Sequence, residues 1–147
     1  MEPGDAPALK ALFEANDVLD VTRWFDPFPL TSETAYELSN HRGRDLFWGA
    51  TRQEGLVGFA MVRGWDGGHP HPAYGCFVDR RHRGQRLGVA ITGLVLAELR
   101  RRGVPEVRAR VHADNEPSLR MHVANGFQEL ESRDGRILLV AHPGASR

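Results

Sequence analysis

A single cysteine, Cys76, stands among 147 residues, which rules out an intrachain disulfide and a cysteine-rich zinc site. An excess of either charge is missing too. Nineteen Lys+Arg face nineteen Asp+Glu, so the chain lacks the whole-molecule field that draws nucleic acid or anionic membrane, and any anion site must be local. The longest apolar runs, Leu56 to Val62 and Ile137 to Ala141, fall far short of the ~20 residues a membrane span needs. Met1-Glu2-Pro3-Gly4-Asp5 lacks the basic-then-apolar pattern of a secretion signal. There is no internal repeat or low-complexity segment. With 41% hydrophobic and 26% charged residues, the expectation is one domain spanning 1–147, located in the cytoplasm.

The hydrophobic periodicity divides the chain into elements. Leu9, Leu12 and Phe13 recur at helical spacing within Ala6 to Asn16, and Thr31 to His41 predicts a second short helix entered through Asp26-Pro27-Phe28-Pro29. Alternating residues from Asp45 to Arg52 and from Leu56 to Arg63, turned by Glu54-Gly55, predict an antiparallel hairpin. A glycine-rich loop holding His69-Pro70-His71-Pro72 leads to a third strand, Ala73 to Val78. Behind it lies a helix whose stripe is Leu87, Ile91, Leu94, Val95 and Leu99, stopped by Gly103 and Pro105. Glu106 to His112 reads as a fourth strand, Asn115 to about Asn125 as a helix, and Phe127 to Val140 as a hairpin turned at Asp134-Gly135. The third and fourth strands are joined by a helical crossover and are therefore parallel, so the fold class is α/β, with a mainly antiparallel sheet containing one parallel pair. Ligands are expected near the carboxyl ends of that pair.

At that position the chain reads Arg80-Arg81-His82-Arg83-Gly84-Gln85-Arg86-Leu87-Gly88. A helix start carries unpaired amides and partial positive charge, glycine lets a phosphate approach them, and arginines add forked donors. The pattern suits a pyrophosphate. It also suits a solvated basic turn, since short glycine patterns are weak alone; the nucleoside-triphosphate loop and the Rossmann fingerprint both fit poorly.

Val78 to Gly88 resembles the acyl-CoA loop of the GCN5-related N-acetyltransferase (GNAT) superfamily, written R/Q-x-x-G-x-G/A, with Arg83 at its first position and Gly88 at its last. Arg86 replaces the middle glycine. Some thirty residues later, Asn115-Glu116-Pro117-Ser118-Leu119-Arg120-Met121-His122-Val123-Ala124-Asn125-Gly126-Phe127 is similar to the family's N-x-x-A-x-x-x-Y-x-x-x-G-F, matching at Asn115, Gly126 and Phe127. The resemblance covers about Asp45 to Val140. It implies a sheet whose central parallel pair is splayed, with acetyl-CoA in the gap. Cys76, Phe77 and Val78 would border the pantetheine, and Arg83, Gly84, Gln85, Arg86, Leu87, Gly88 and Val89 the pyrophosphate. Asn115 and Ser118 would line the other side, Asn115 also fitting as a plain helix cap.

The implied reaction is direct acetyl transfer to a primary amine of a small molecule, an amino sugar, amino acid or antibiotic-like amine. It needs a deprotonated nitrogen, a stabilised oxyanion and a proton for the departing thiolate. His122 stands where the family has its proton-donating tyrosine, and fits that role or simple packing. The family's usual glutamate base has no counterpart; His71, His69, His112 and Asp66 are the candidates, with His71 first. No metal is expected, because a His-x-His pair without a third ligand does not make a site. Trp24, Asp26 and Phe28 are candidate substrate residues, ordinary core packing being the alternative for Trp24 and Phe28. Two other readings are a protein N-terminal or lysine acetyltransferase and a non-catalytic CoA-binding module. Nucleic acid and membrane are not expected partners; a homodimer is, by family habit. The nucleic-acid reading, through Arg80 to Arg86 and Arg100 to Arg102, lacks interleaved aromatics.

Overall fold

The computed structural model describes residues 1–53 and 55–145. Glu54, half of the expected first hairpin turn, lies outside the described residues. Helices α1 (Ala6–Asn16), α2 (Leu19–Thr22) and α3 (Ser32–Ser39) precede the hairpin β1 (Leu46–Arg52) and β2 (Gly55–Arg63). Then follow β3 (Ala73–Val78), α4 (Leu87–Arg101), β4 (Val107–His112), α5 (Glu116–Ala124), β5 (Gln128–Arg133) and β6 (Arg136–Ala141). One sheet has the order β1-β2-β3-β4-β6-β5, antiparallel except for β3 beside β4. The one-turn α2 was not legible in the sequence, since four residues carry no periodicity. Asp134 and Gly135 both have positive φ, the conformation a two-residue hairpin turn requires.

Two hydrophobic layers cover opposite faces of the sheet. On one, Ile91, Val95 and Leu99 of α4 pack on Ala60, Val62, Tyr74, Val107, Ala109 and Val111. On the other, Leu9, Leu12 and Phe13 of α1 pack with Phe47, Phe59, Met61 and Phe77. Strand β2 is thus buried on both faces and contributes alternate residues to each. The second layer contains no residue of β4 or β6. The α1 side of β4 therefore carries Arg108, Arg110 and His112, alternating with the buried Val107, Ala109 and Val111.

One expectation about packing needs correction. Leu94 does not belong to the buried stripe of α4: it is 73% exposed, while Thr92 is fully buried. The true stripe is rotated toward α5, where the Thr92 hydroxyl donates to the Met121 sulfur and bonds to the Tyr74 hydroxyl at 2.8 Å. Asp66 is not a free carboxylate, because it accepts the Arg44 and Asp45 amides at 2.7 and 3.1 Å. These amides hold its carboxyl below the ordinary aspartate range.

Candidate functional site

Strands β3 and β4 are in register only at Ala73 opposite Arg108, where the Arg108 amide donates to the Pro72 carbonyl at 2.9 Å, and beyond this point they diverge. The Asp79 amide donates to the Val57 carbonyl across β2, so the alternation of a strand turns the Cys76 and Val78 amides the other way, into the gap. A cavity of about 570 Å³ opens there. It is bounded by β3, the loop before α4, the end of β4 and the start of α5.

The loop is held in place by three clasps. Asp79, fully buried, accepts the Arg81 amide and pairs with the Arg81 guanidinium at 2.7 Å, which holds its carboxyl below the ordinary range. Asn16, at the buried end of α1, accepts the Arg80 amide at 2.9 Å. Arg83 reaches α2, with Nη1 at 2.7 Å from Asp20 Oδ2. The chain then passes through Gly84 at φ 78° and Arg86 at φ 59°. This left-handed geometry explains why the related motif has glycine where this chain has Arg86, a substitution that costs about 1–2 kcal/mol of backbone strain. Arg86 caps α4 without a side-chain bond, which leaves the first amides of a 15-residue helix without intrahelical acceptors beside the cavity. A Cβ added at Gly88 would meet only Met121 Cγ at 3.6 Å and Val78 Cγ2 at 3.9 Å, so glycine leaves the first turn open to a ligand.

Every residue expected to hold acetyl-CoA lines this cavity except Gln85, whose side chain turns away to accept from Arg52. Asn115 lines it while also capping α5, accepting the Ser118 amide at 3.4 Å. His122 is buried, and its Nδ1 lies 2.7 Å from the Ser118 carbonyl, an acceptor. Nδ1 therefore carries the proton of the neutral ring and Nε2 is left with a lone pair. Tyr74 and Cys76, neighbours on one face of β3, complete the floor. Burial raises the thiol of Cys76, and burial together with the neighbouring Cys76 raises the hydroxyl of Tyr74 well above its usual value, so both keep their protons. A protonated thiol is a poor nucleophile.

A second cavity, of about 470 Å³, lies on the bare face of β4. Trp24, Phe25, Tyr74, Gly75, Arg110 and His112 line both cavities, so the two meet at the strand gap. Trp24 and Asp26 border the second cavity as candidate substrate residues, whereas Phe28 lines neither. Its ring packs 6.1 Å from Phe13 and 6.0 Å from both Phe25 and Phe59, which corrects its assignment to the substrate wall. His69 and His71 line the second cavity alone, and His71 Nδ1 is engaged by Glu106 at 2.8 Å. His112, packed edge-on against Trp24, borders both. Tyr74 and Arg110, which stand near the positions where the family resembled has its glutamate, line both cavities as well.

Burial holds the His122 imidazole below the ordinary histidine range, the bond to Ser118 partly opposing. Below about pH 6.5 the unfolded chain thus binds a proton that the folded chain does not. Stability is therefore full above that pH and declines as pH falls toward the depressed folded value. Urea midpoints measured from about pH 7 down to about pH 5 are expected to decline in wild type and to flatten in His122→Phe. An equal decline in both would assign the effect to other groups.

A mostly antiparallel sheet, opened at its one parallel pair above a basic loop that starts a helix, is the architecture of an acyltransferase class. The acetyltransferase (GNAT) family pattern matches residues 13–127, and the chain belongs to that family. The match begins well ahead of the hairpin, within the last turn of α1, and takes in α2 and α3. Mycothiol acetyltransferase of Brachybacterium faecium is 36% identical over 88 residues, 58% of this chain. The aligned part is 26% of that protein, so the chain spans about a quarter of its relative's length. Among solved structures, the GNAT domain of S. lividans PAT superposes with a TM-score of 0.81 at 20% identity, covering 97% of this chain and 87% of that one. The structure of yncA from Salmonella typhimurium with its cofactor acetyl-CoA superposes at 0.72 with 17% identity over 97% and 91% of the two chains. Among the described residues no helix is long and apolar enough to cross a membrane, and no group of three or more His, Cys, Asp or Glu is placed to hold a metal ion.

Proposed function

We propose that this chain is an acetyl-CoA-dependent N-acetyltransferase that acetylates a primary amine of a small molecule in the cytoplasm. The observation that carries this reading is the cavity at the β3/β4 gap, with uncapped helix amides and arginines at one end and two strand amides facing into it at the other. Arg83, Gly84, Arg86 and the amides of Leu87, Gly88 and Val89 hold the pyrophosphate; Cys76, Phe77, Val78, Asn115 and Ser118 flank the pantetheine. Acetyl-CoA supplies the acetyl group: as the amide C–N bond forms the thioester C–S bond breaks, and the CoA thiolate leaves with its electron pair, unaided by a side-chain acid, and takes its proton from solvent. The Val78 amide is the donor offered to developing oxyanion charge, a contribution commonly of a few kcal/mol.

The acceptor enters from the second cavity, whose volume is in the range usual for small-molecule sites. His112, at the junction, removes the proton from the incoming amine; His71 sits farther out and is occupied by Glu106. His122 holds its proton against the Ser118 carbonyl, so its role is to position Ser118 rather than to act as the acid in its resting tautomer.

Calorimetric titration with acetyl-CoA and CoA tests the reading. Wild type should bind both, and Arg83→Ala/Asn115→Ala should lose at least roughly tenfold in affinity, the effect of removing charge-assisted hydrogen bonds. No binding by folded wild type would overturn the proposal.

A further inference from the structure

The second cavity is unusually basic for a chain with no net charge. Arg63, Arg108, Arg110 and Arg136 all line it, against one lining carboxylate, Asp26. These arginines come from three strands: Arg63 ends β2, Arg108 and Arg110 alternate along β4, and Arg136 starts β6 directly opposite His112. Arg108 is neutralised by Glu106, whose Oε2 lies 2.9 Å from its Nε. The same carboxylate also holds His71, and its other oxygen lies 3.7 Å from His142. Arg63 is placed over the Phe28 ring at 5.5 Å and donates to the Pro27 carbonyl, and among the described residues it makes no ion pair. Among the described residues Arg110 and Arg136 make no ion pair.

Three cations around one concave site repel one another unless an anion joins them, and arginine is the side chain suited to forked recognition of a carboxylate or phosphate. The loop that starts α4 does not explain this cluster. Of its own arginines, Arg83 and Arg86 line the first cavity and none lines the second, and of the four arginines lining the second only Arg110 touches both. The tertiary cause is that α1 and α3 stop at β3, so their apolar layer does not cover the Arg110 side of β4.

We infer that the acceptor amine carries an anionic group, a carboxylate or a phosphate monoester, held by Arg110, Arg136 and Arg63 while its amine is presented to the strand gap beside His112. This rests on the donor and acceptor assignment proposed above and narrows the acceptor to amino acids or amino-sugar phosphates. Polyamines and lysine-rich peptides would meet like charge.

Two arms test it. In the first, thiol release from acetyl-CoA is followed with matched pairs: amino acids against their α-carboxamides, and glucosamine 6-phosphate against glucosamine, with spermidine as the cationic control. The anionic member of one pair should be preferred, which also tells carboxylate from phosphate. Arg110→Gln/Arg136→Gln should raise its KM roughly 10- to 100-fold and leave kcat little changed. Preference for a neutral or cationic amine, absence of turnover with every anionic amine while another amine is acetylated, or an unchanged KM in the variant would each overturn the inference. The second arm needs no acetyl-CoA. Succinate and inorganic phosphate are titrated into the free protein while backbone amide shifts are followed. Shifts at Arg108 to His112 and Arg136 to Leu138 that vanish in the double variant support the anion site even if the cofactor reading fails. Shifts confined to Gly84 to Val89 overturn it and leave the cofactor reading standing.

Discussion

His112→Ala is expected to lower kcat about 10²- to 10⁴-fold, the span typical of losing a general base, with acetyl-CoA affinity unchanged. The expectation follows from position. His112 ends β4 on the side that α1 does not cover, and it borders the cavities on both sides of the strand gap. A neutral amine attacking a carbonyl in the gap must shed its proton within hydrogen-bond reach of a base there, and among the histidines proposed for that role only His112 borders both cavities. His71→Ala serves as the comparison: removing it should disturb the pairing with Glu106 at the outer wall and change kcat far less. Steady-state kinetics at saturating acetyl-CoA, with calorimetry on each variant, measures the difference. A His112 variant with wild-type kcat, or a larger loss in His71→Ala, would remove His112 from the mechanism.

Phe13→Ala should cost about 3–5 kcal/mol of stability, the usual penalty for truncating a buried phenylalanine. Phe13 has no exposed surface and packs edge-on against Phe59 at 5.4 Å and obliquely against Phe77 at 6.1 Å, thereby binding α1 to β2 and β3. The effect should also reach the site. One turn further along α1, Asn16 accepts the Arg80 amide at 2.9 Å, so loosening the helix frees the loop that leads into α4. Urea unfolding gives the energy, and acetyl-CoA affinity measured well below the unfolding midpoint gives the coupling. A loss under about 1 kcal/mol would mean that the aromatic layer closes over the void, contrary to the close ring packing around Phe13.

The long helices and all six strands were legible from local signals: alternation in β3 and β4, a 3.6-residue recurrence in α1, and for the last hairpin the Asp134-Gly135 turn, since β5 is exposed along its whole length. The first cavity was legible for a related reason. The residues expected to hold acetyl-CoA lie in two short, nearly continuous segments, Cys76 to Val89 and Asn115 to Ser118, with local backbone chemistry that glycines, arginines and an asparagine cap declare in sequence, whereas Trp24, Phe25, Arg110 and His112 reach the same cavity from elsewhere in the chain. Leu94 shows the limit, since a helical stripe fixes a face only to within a residue or so, and the neighbour α5 selected Thr92 instead. Phe28 shows another: an aromatic beside a proline-rich entry reads equally as wall or core, and its contacts with Phe13, Phe25 and Phe59 decided for core.

The order of elements, the parallel pair and the basic helix start follow from the chain alone, because they depend on neighbours within a few residues or on a crossover of known hand. Which residues face the gap from the far side depends instead on the assembled sheet. Arg63, Arg110, His112 and Arg136 come from three strands that are distant in the chain, and they converge because the covering helices end at β3. No local pattern records where a helix layer stops, so the acceptor side of the site became readable only once strands and helices had packed together.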